Sequence, residues 1–464
     1  MDINQYGFLR VAAASPKLRV ADCEYNTTEI KSVIEHAEKE DVQILCFPEL
    51  SITGYTCSDL FFQKALQRKA LDSLNELTAF MKDKTKIVVI VGLPLRIDSS
   101  LYNVAAVISV QGILGLVPKM NIPNDKEFYE KRWFASGKDL TVFSVNINGK
   151  DVPITAEGMI FRTPFCTFGI EICEDLWMAN PPSSTLSLQG AEVIFNLSAS
   201  NELIGKNKYR RSLVMQQSGR CNSAYIYASA GCGESTTDLV FSGGCMIAEN
   251  GTMLVESKRF SLESELIIAD IDIEALRHDR VKNTNYLSKL TENSKKINID
   301  ISAITPSEWC RTFNPYPFIP SKETEEEFLS EVFNIQTHGL AKRLLHTGVK
   351  TVTIGISGGL DSTLALLVTI KTFDILKLPR ENIIGITMPG FGTTDRTYSN
   401  AIDLMKSARI TMKEISIVDA VTQHFKNIEH NIDDHDVTYE NGQARERTQI
   451  LMDYANKIGG MVIG

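Results

Sequence analysis

The chain has 464 residues, enough for two or three domains with sizeable cores. It is 43% hydrophobic and 23% charged, an ordinary globular composition, and its net charge of −9 excludes a global basic field for nucleic acid. Nine cysteines without a CxxC pair fit a reducing compartment, and with no signal-like N-terminus and no apolar run near the ~18 residues of a membrane helix, a soluble cytoplasmic protein is expected.

In chain order, "LRVAAASP" reads as a first strand. "NTTEIKSVIEHAEKEDV" has helical spacing, with Asn26 or Thr27 as its cap. "QILCFPEL" is a buried strand running into a loop, and "QKALQRKALDSLNELTAFMKDK" a long amphipathic helix. Strands follow at "KIVVIVGLPL", "LYNVAAVISVQGILGLVPK", "PFCTFGIEIC", "AEVIFNLSAS", "SAYIYASAGCG" and "GGCMIAENGTMLVE", with hairpin turns at Gln111-Gly112 and Asn250-Gly251. This alternation implies a mixed sheet layered with helices over residues 1–270. Residues 271–325 are polar, weakly patterned and stiffened by Pro315, Pro317 and Pro320, so they read as a linker. From 326 to 464 helix, strand, Gly-rich loop and helix recur, the pattern of an α/β domain with a parallel sheet. "GGMVIG" at the end reads as a strand with no closing helix, an unfinished sheet.

Cys173 follows a strand and precedes Glu174 and Asp175, whose charge disfavours a thiolate. It is either a buried structural cysteine or a nucleophile activated from elsewhere. The first 277 residues hold one histidine, His36, inside a helical pattern, so a Cys–His pair is not expected. Glu49, beyond a strand and Pro48, could accept a thiol proton from an apolar cleft. Lys119, after another strand, could favour the thiolate and stabilise an oxyanion. Singly, each is more often a structural or solvated residue. Three strand-end residues in the order Glu, Lys, Cys are far more specific.

"FPELSITGY", "PKMNIPN" and "GIEICEDLW" together resemble the signatures of the nitrilase (carbon–nitrogen hydrolase) superfamily. The resemblance implies a four-layer αββα sandwich, with Glu49 as general base, Lys119 as oxyanion stabiliser and Cys173 as nucleophile. It also implies a second glutamate, Glu130, with Glu127 as the alternative, and an oxyanion contact from the Glu174 amide. In the second domain "TVTIGISGGLDSTLALL" carries SGGLDS but not the Walker A pattern. Its glycines let backbone N–H groups approach a phosphate, and a helix N-terminus follows. The alternative is a plain strand-to-helix turn. The hexapeptide resembles the pyrophosphate loop of N-type ATP pyrophosphatases, implying a doubly wound parallel sheet. Ser357, Gly358, Gly359, Asp361 and Ser362 would bind ATP, Asp361 would help hold Mg2+–pyrophosphate, Met388 would border the adenine, and Arg445 either reaches the nucleotide or is a helix-surface residue.

A nitrilase-like domain fused to such a loop, with "RTFNPYPFIP", "MPGFGTTDRTYSNA" and "ENGQARERTQILMDYAN", resembles the glutamine-dependent NAD synthetase family. That implies glutamine hydrolysis to ammonia, which amidates ATP-adenylated nicotinic acid adenine dinucleotide to give NAD, AMP and pyrophosphate, without a prosthetic group. Tyr55, Glu174 and Ser200 match glutamine-contacting positions, while Lys206 stands where many relatives have arginine and Asp125 where some have tyrosine. Homo-oligomers through the nitrilase domains are implied too. Family members continue beyond "GGMVIG", so a C-terminally incomplete chain, its synthetase step lacking residues beyond Gly464, is expected. The competing readings are a free-standing nitrilase-class amidase with a vestigial second domain, opposed by the undisturbed SGGLDS, and a non-catalytic ATP-binding protein, opposed by the complete Glu, Lys, Cys set.

Overall fold

The computed structural model describes residues 2–155, 158–284, 295–392 and 395–464. The chain divides into two compact units, Met1–Phe313 and Asn314–Gly464.

The first unit contains strands β1 (Phe8–Ser15), β2 (Ile44–Cys46), β3 (Val88–Ile97), β4 (Ser100–Ser109), β5 (Gly112–Pro118), β6 (Ser144–Ile147), β7 (Lys150–Pro153), β8 (Met159–Arg162), β9 (Thr167–Ile172), β10 (Val193–Ser198), β11 (Ala224–Ser229), β12 (Met246–Glu249), β13 (Thr252–Glu256), β14 (Glu265–Asp272) and β15 (Lys295–Asn298). Its helices are α1 (Cys23–Lys39), α2 (Lys64–Phe80), α3 (Pro182–Leu188), α4 (Lys206–Arg220) and α5 (Ile273–Lys282). One sheet runs β14-β1-β2-β3-β4-β5 and a second runs β13-β12-β11-β10-β9-β8-β15. The centres of both are parallel, β1–β2–β3 and β9–β10–β11, and antiparallel hairpins extend them.

Strand periodicity explains the layers. Leu9, Val11 and Ala13 of β1 join Phe168, Ile170, Phe195 and Ile226 of the other sheet in one apolar core, while Ala12 and Ala14 face the other way into the core under α1 and α2. Leu176, Ile194, Tyr225 and Val214 form a third core beneath α3 and α4. The result is helix, sheet, sheet, helix. Because both faces of the central strands are covered, they read as continuous apolar runs without alternation.

Several local expectations are corrected. The α1 cap is Asp22, whose carboxylate accepts the Tyr25 N–H at 3.1 Å. Asn26 instead lies inside α1, its amide donating to the carbonyls of Arg19 and Ile52. Residues 271–325, read as linker, include α5 and β15, and β15 pairs in parallel with β8. Residues 308–311 of that stretch belong to the first unit and are held in it by charge and hydrogen bonds. Arg10 grips Asp270 through two hydrogen bonds of 2.7 and 3.0 Å and also donates to the Glu308 carbonyl, and Arg311 grips Glu249. Sequence periodicity does not register such long-range anchors.

The second unit contains α6 (Glu325–Thr347), β16 (Val352–Gly355), α7 (Leu360–Leu376), β17 (Ile383–Thr387), α8 (Asp395–Ala408), β18 (Thr411–Glu414), α9 (Val418–Asn427), α10 (Val437–Lys457) and β19 (Met461–Ile463). Its sheet order is β18-β17-β16-β19, parallel throughout. The "GGMVIG" segment thus pairs with the strand that leads into SGGLDS. Among the described residues, no helix is long and apolar enough to cross a membrane.

Candidate active site

Three sheet ends in the first unit supply one buried cluster. The chain leaves β2 through Phe47 and Pro48 to Glu49, only 1% exposed. This turn presses on β3 at Gly92, where a Cβ would lie 2.3 Å from the Leu50 nitrogen and 2.8 Å from the Pro48 carbonyl. Any side chain there would displace Glu49. Lys119 is the residue after β5, and Cys173 the residue after β9.

Lys119 is the hub. Its Nζ donates to Glu49 Oε1 at 2.6 Å and to both Glu130 oxygens at 2.8 and 2.9 Å, and all three side chains are buried. Burial alone pulls the ammonium pKa down. Glu130, Glu49 and Cys173 outweigh that and hold it well above its ordinary value. Burial pushes the Glu130 carboxyl up to about 7, against the opposing pull of Lys119, and the charge of Glu49 adds to the rise. Glu130 also accepts the Tyr55 hydroxyl at 2.7 Å. Glu49 Oε1 takes a second bond from Asn103 Nδ2 at 2.6 Å, but among the described residues Glu49 Oε2 has no partner, and it has no exposure to solvent. Such an oxygen is a ready proton acceptor.

Cys173 has φ +47°, a backbone conformation rare for a residue with a side chain. Two side chains hold this sharp turn. The Cys173 N–H donates to Asn196 Oδ1 at 3.3 Å, and Asp175 accepts the Ile172 N–H at 3.0 Å. Asp175 also accepts both the backbone and side-chain N–H of Asn121, at 2.9 and 2.7 Å. It therefore ties the cysteine turn to the loop after Lys119. Burial pushes the thiol well up, Glu49 and Glu130 add to this, and Lys119 opposes it. The balance favours the protonated thiol over the thiolate.

The other first-unit candidates lie on two sides of this cluster. Tyr55 and Glu127 line a cavity of about 170 Å³ with Phe128, Trp133 and Asp238. Glu234 fixes the Tyr55 loop, accepting the Tyr55 and Thr56 N–H groups at 2.8 and 2.9 Å. Glu174 and Asp125 line a different, open cavity. Ser200 is buried just beyond β10. Lys206, the first residue of α4, donates to Asn201 Oδ1 at 2.5 Å, lies 4.0 Å from Glu127, and sits over the faces of Phe128 and Trp177. Asn103 and Glu234 were not singled out from sequence, and Asp175 stood out there only as a charge next to Cys173. Asn103 left a trace there, as a polar residue inside an otherwise apolar strand.

In the second unit a cavity of about 670 Å³ is lined by Ser357, Gly359, Thr387, Met388, Thr397 and Arg447, among others. Ser357 Oγ lies 3.1 Å from Ser362 Oγ and accepts the Gly359 N–H, so the loop curls on itself. Gly358 has φ +82°, and a Cβ there would meet the Thr397 carbonyl at 2.2 Å. Asp361 and Arg445 are exposed and do not line the cavity. Arg447, two residues on, does, and it donates to the Met388 carbonyl at 3.3 Å. Among the described residues no three His, Cys, Asp or Glu side chains cluster as a metal site.

Comparison with known proteins agrees with both units. The carbon-nitrogen hydrolase family model matches residues 10–281, and the NAD synthase model residues 332–464. A glutamine-dependent NAD(+) synthetase of Mycobacterium tuberculosis H37Rv is 37% identical over 477 residues, covering 99% of this chain and 70% of that protein. One from Thermotoga maritima is 29% identical over 462 residues, covering 98% of this chain and 73% of its own. The crystal structure of a glutamine-dependent NAD(+) synthetase from Cytophaga hutchinsonii superposes with a TM-score of 0.52 at 24% identity, covering 98% of this chain and 74% of that one, a likeness of fold.

Proposed function

We propose a two-step reaction for this chain, which belongs to the glutamine-dependent NAD(+) synthetase family: the first unit hydrolyses glutamine, and the second uses the ammonia to amidate nicotinic acid adenine dinucleotide at the expense of ATP. The observation that carries the first half is the buried Glu49, held by Lys119 at 2.6 Å, with an Oε2 that has no partner among the described residues and a charge that acts on the buried Cys173 thiol.

Cys173 Sγ forms a bond to the glutamine side-chain carbonyl carbon while its proton passes to Glu49 Oε2. The negative charge developing on the carbonyl oxygen is met by the Lys119 ammonium and the Glu174 backbone N–H. The carbon–nitrogen bond then breaks, and the leaving nitrogen departs as ammonia with the proton held by Glu49. Water, deprotonated by Glu49, attacks the thioester and releases glutamate, and the proton returns to Cys173. Glu130 keeps Lys119 charged and in place, and Tyr55 holds Glu130. Lys206, half-sunk between aromatic rings, supplies a cation for the substrate carboxylate, and Glu174 and Ser200 complete the glutamine contacts.

In the second unit the SGGLDS loop approaches ATP phosphates through Gly358 and Gly359, with Ser357 and Ser362 as hydroxyl donors. Met388 and Arg447 border the same cavity. ATP adenylates the nicotinate carboxylate, releasing pyrophosphate, and ammonia displaces AMP. Magnesium would enter with ATP as charge neutralisation, and Asp361, in the first turn of α7, is the carboxylate of the SGGLDS segment itself.

The experiment is a coupled assay with glutamine, ATP, Mg2+ and nicotinic acid adenine dinucleotide, measuring glutamate and NAD together. Equal yields of both support the reading. Absence of glutamate release from folded protein overturns the glutaminase assignment, and glutamate without NAD overturns the second step.

A further inference from the structure

Behind the cysteine turn runs a chain of buried polar groups that the reaction as derived does not use. Glu171 of β9 and Asn196 of β10 are paired in the parallel register, and Tyr225 follows on β11. All are fully buried on the face of the second sheet beneath α3 and α4. Tyr225 Oη donates to Glu171 Oε1. Asn196 Nδ2 donates to Tyr225 Oη at 2.9 Å. Asn196 Oδ1 then accepts from the Ser198 hydroxyl at 2.6 Å and from the Cys173 N–H at 3.3 Å. The remaining Glu171 oxygen accepts the Ser183 N–H of α3 at 2.8 Å.

We propose that Glu171, Tyr225 and Asn196 are positioning residues for the nucleophile, a one-way hydrogen-bond chain that presents the Asn196 carbonyl oxygen to the Cys173 N–H and so holds the cysteine at its positive φ. The direction follows from chemistry. Above about pH 7, where Glu171 is ionised, its carboxylate only accepts, so the tyrosine spends its single proton on Glu171. Its remaining lone pairs face Asn196, which turns its NH2 group that way. The amide then has its oxygen, and not its nitrogen, at the Cys173 N–H. Burial and the neighbouring Glu171 both keep Tyr225 protonated, so the chain does not lose its middle donor. The proposal rests on the reading of Cys173 as nucleophile.

Glu171→Gln tests the direction. Glutamine offers one acceptor oxygen where Glu171 meets the Tyr225 hydroxyl on one oxygen and Ser183 on the other. If its oxygen faces Ser183, the tyrosine proton turns toward Asn196, whose amide flips and puts its NH2 against the Cys173 N–H. Tyr225→Phe removes the link itself.

Glutamine hydrolysis by the full chain is measured for both variants and the double variant, normalised to folded protein. Each single change lowers kcat about tenfold, as expected for an unpaired buried donor, with KM for glutamine constant within about twofold. The double variant is no slower than the slower single one, because both act through one chain. An unchanged kcat, a loss expressed in KM, or losses that multiply in the double variant overturn the proposal. Should Glu171→Gln fail to fold, Tyr225→Phe carries the test through the same kcat and KM split. Residual hydrolysis in Cys173→Ala identifies, separately, failure of the underlying reading.

Discussion

Replacing Lys119 by methionine removes a cation that touches both Glu49 and Glu130. At an effective dielectric of about 20, each contact of 2.6–2.8 Å corresponds to about 6 kcal/mol of attraction before desolvation is counted. Desolvation removes most of that, yet taking away the partner leaves two buried carboxylates facing each other. Breaking a buried pair in this way costs about 3–5 kcal/mol. Part of the cost is relieved by proton uptake, most readily at Glu130, which burial already holds at about 7. Lys119→Met is therefore destabilised more at pH 8 than at pH 6, and a second change, Glu130→Gln, recovers part of the loss. The catalytic cost is larger. The variant loses the positive charge that opposes the high thiol pKa of Cys173 and the donor for the developing oxyanion. Loss of one such donor is worth about 10²–10³ in rate, so kcat falls at least about 10³-fold once thiol activation is included. Glutamate release gives the rate, the alkylation rate of Cys173 reports thiolate formation, and thermal unfolding at the two pH values gives the stability. A folded Lys119→Met protein hydrolysing glutamine within tenfold of the parent rate would refute the placement of Lys119 at the reacting carbonyl.

Other substitutions probe the scaffold. Gly92→Ala puts a methyl group 2.3 Å from the Leu50 nitrogen, so a stability loss of about 1–3 kcal/mol in denaturant titration is expected, with slower glutamine hydrolysis as the Glu49 turn shifts. Gly358→Ala meets the Thr397 carbonyl at 2.2 Å and forces a side chain onto φ +82°; calorimetry should show ATP binding weakened at least about tenfold, and unchanged affinity would contradict the role given to the loop. Burial raises Glu171 from 4.5 to about 7, so the native state holds more protons than the unfolded state between those values. This group therefore lowers stability as pH climbs from 4.5 through 7, by up to about 3 kcal/mol, and Glu171→Gln should remove that part of the slope in unfolding titrations at a series of pH values.

The fold class was readable in the chain because the central strands of both units are covered on two faces and appear as uninterrupted apolar runs. The parallel second sheet followed from strand, glycine loop and helix in "TIGISGGLDSTLALL". Elements without a strong pattern escaped: α5 lies in a polar stretch, and β15 is four residues whose partner β8 is more than a hundred positions away. Glu49, Lys119 and Cys173 stood out because each closes an apolar strand, and the structure brings the first two into direct contact. What holds them was hidden. Asn103 and Asn196 look like isolated polar residues inside strands, and only sheet register reveals that they point at the Glu49 oxygen and the Cys173 nitrogen. Asp175 read in sequence only as a charge unfavourable to a thiolate, and its bonds to Ile172 and Asn121 show how two loops far apart in sequence are tied together. On α10 exposed Arg445 and cavity-lining Arg447 are two residues apart, a spacing that on a helix changes the face presented.

The central claim is that Cys173 carries the acyl group taken from glutamine. The direct measurement is rapid acid quenching during glutamine turnover, followed by peptide mass analysis. The account predicts a glutamyl group, labile to base and hydroxylamine, on the peptide that contains Cys173, absent in Cys173→Ala together with all glutamine hydrolysis. Turnover that continues in Cys173→Ala, or an adduct found on another cysteine, would contradict it.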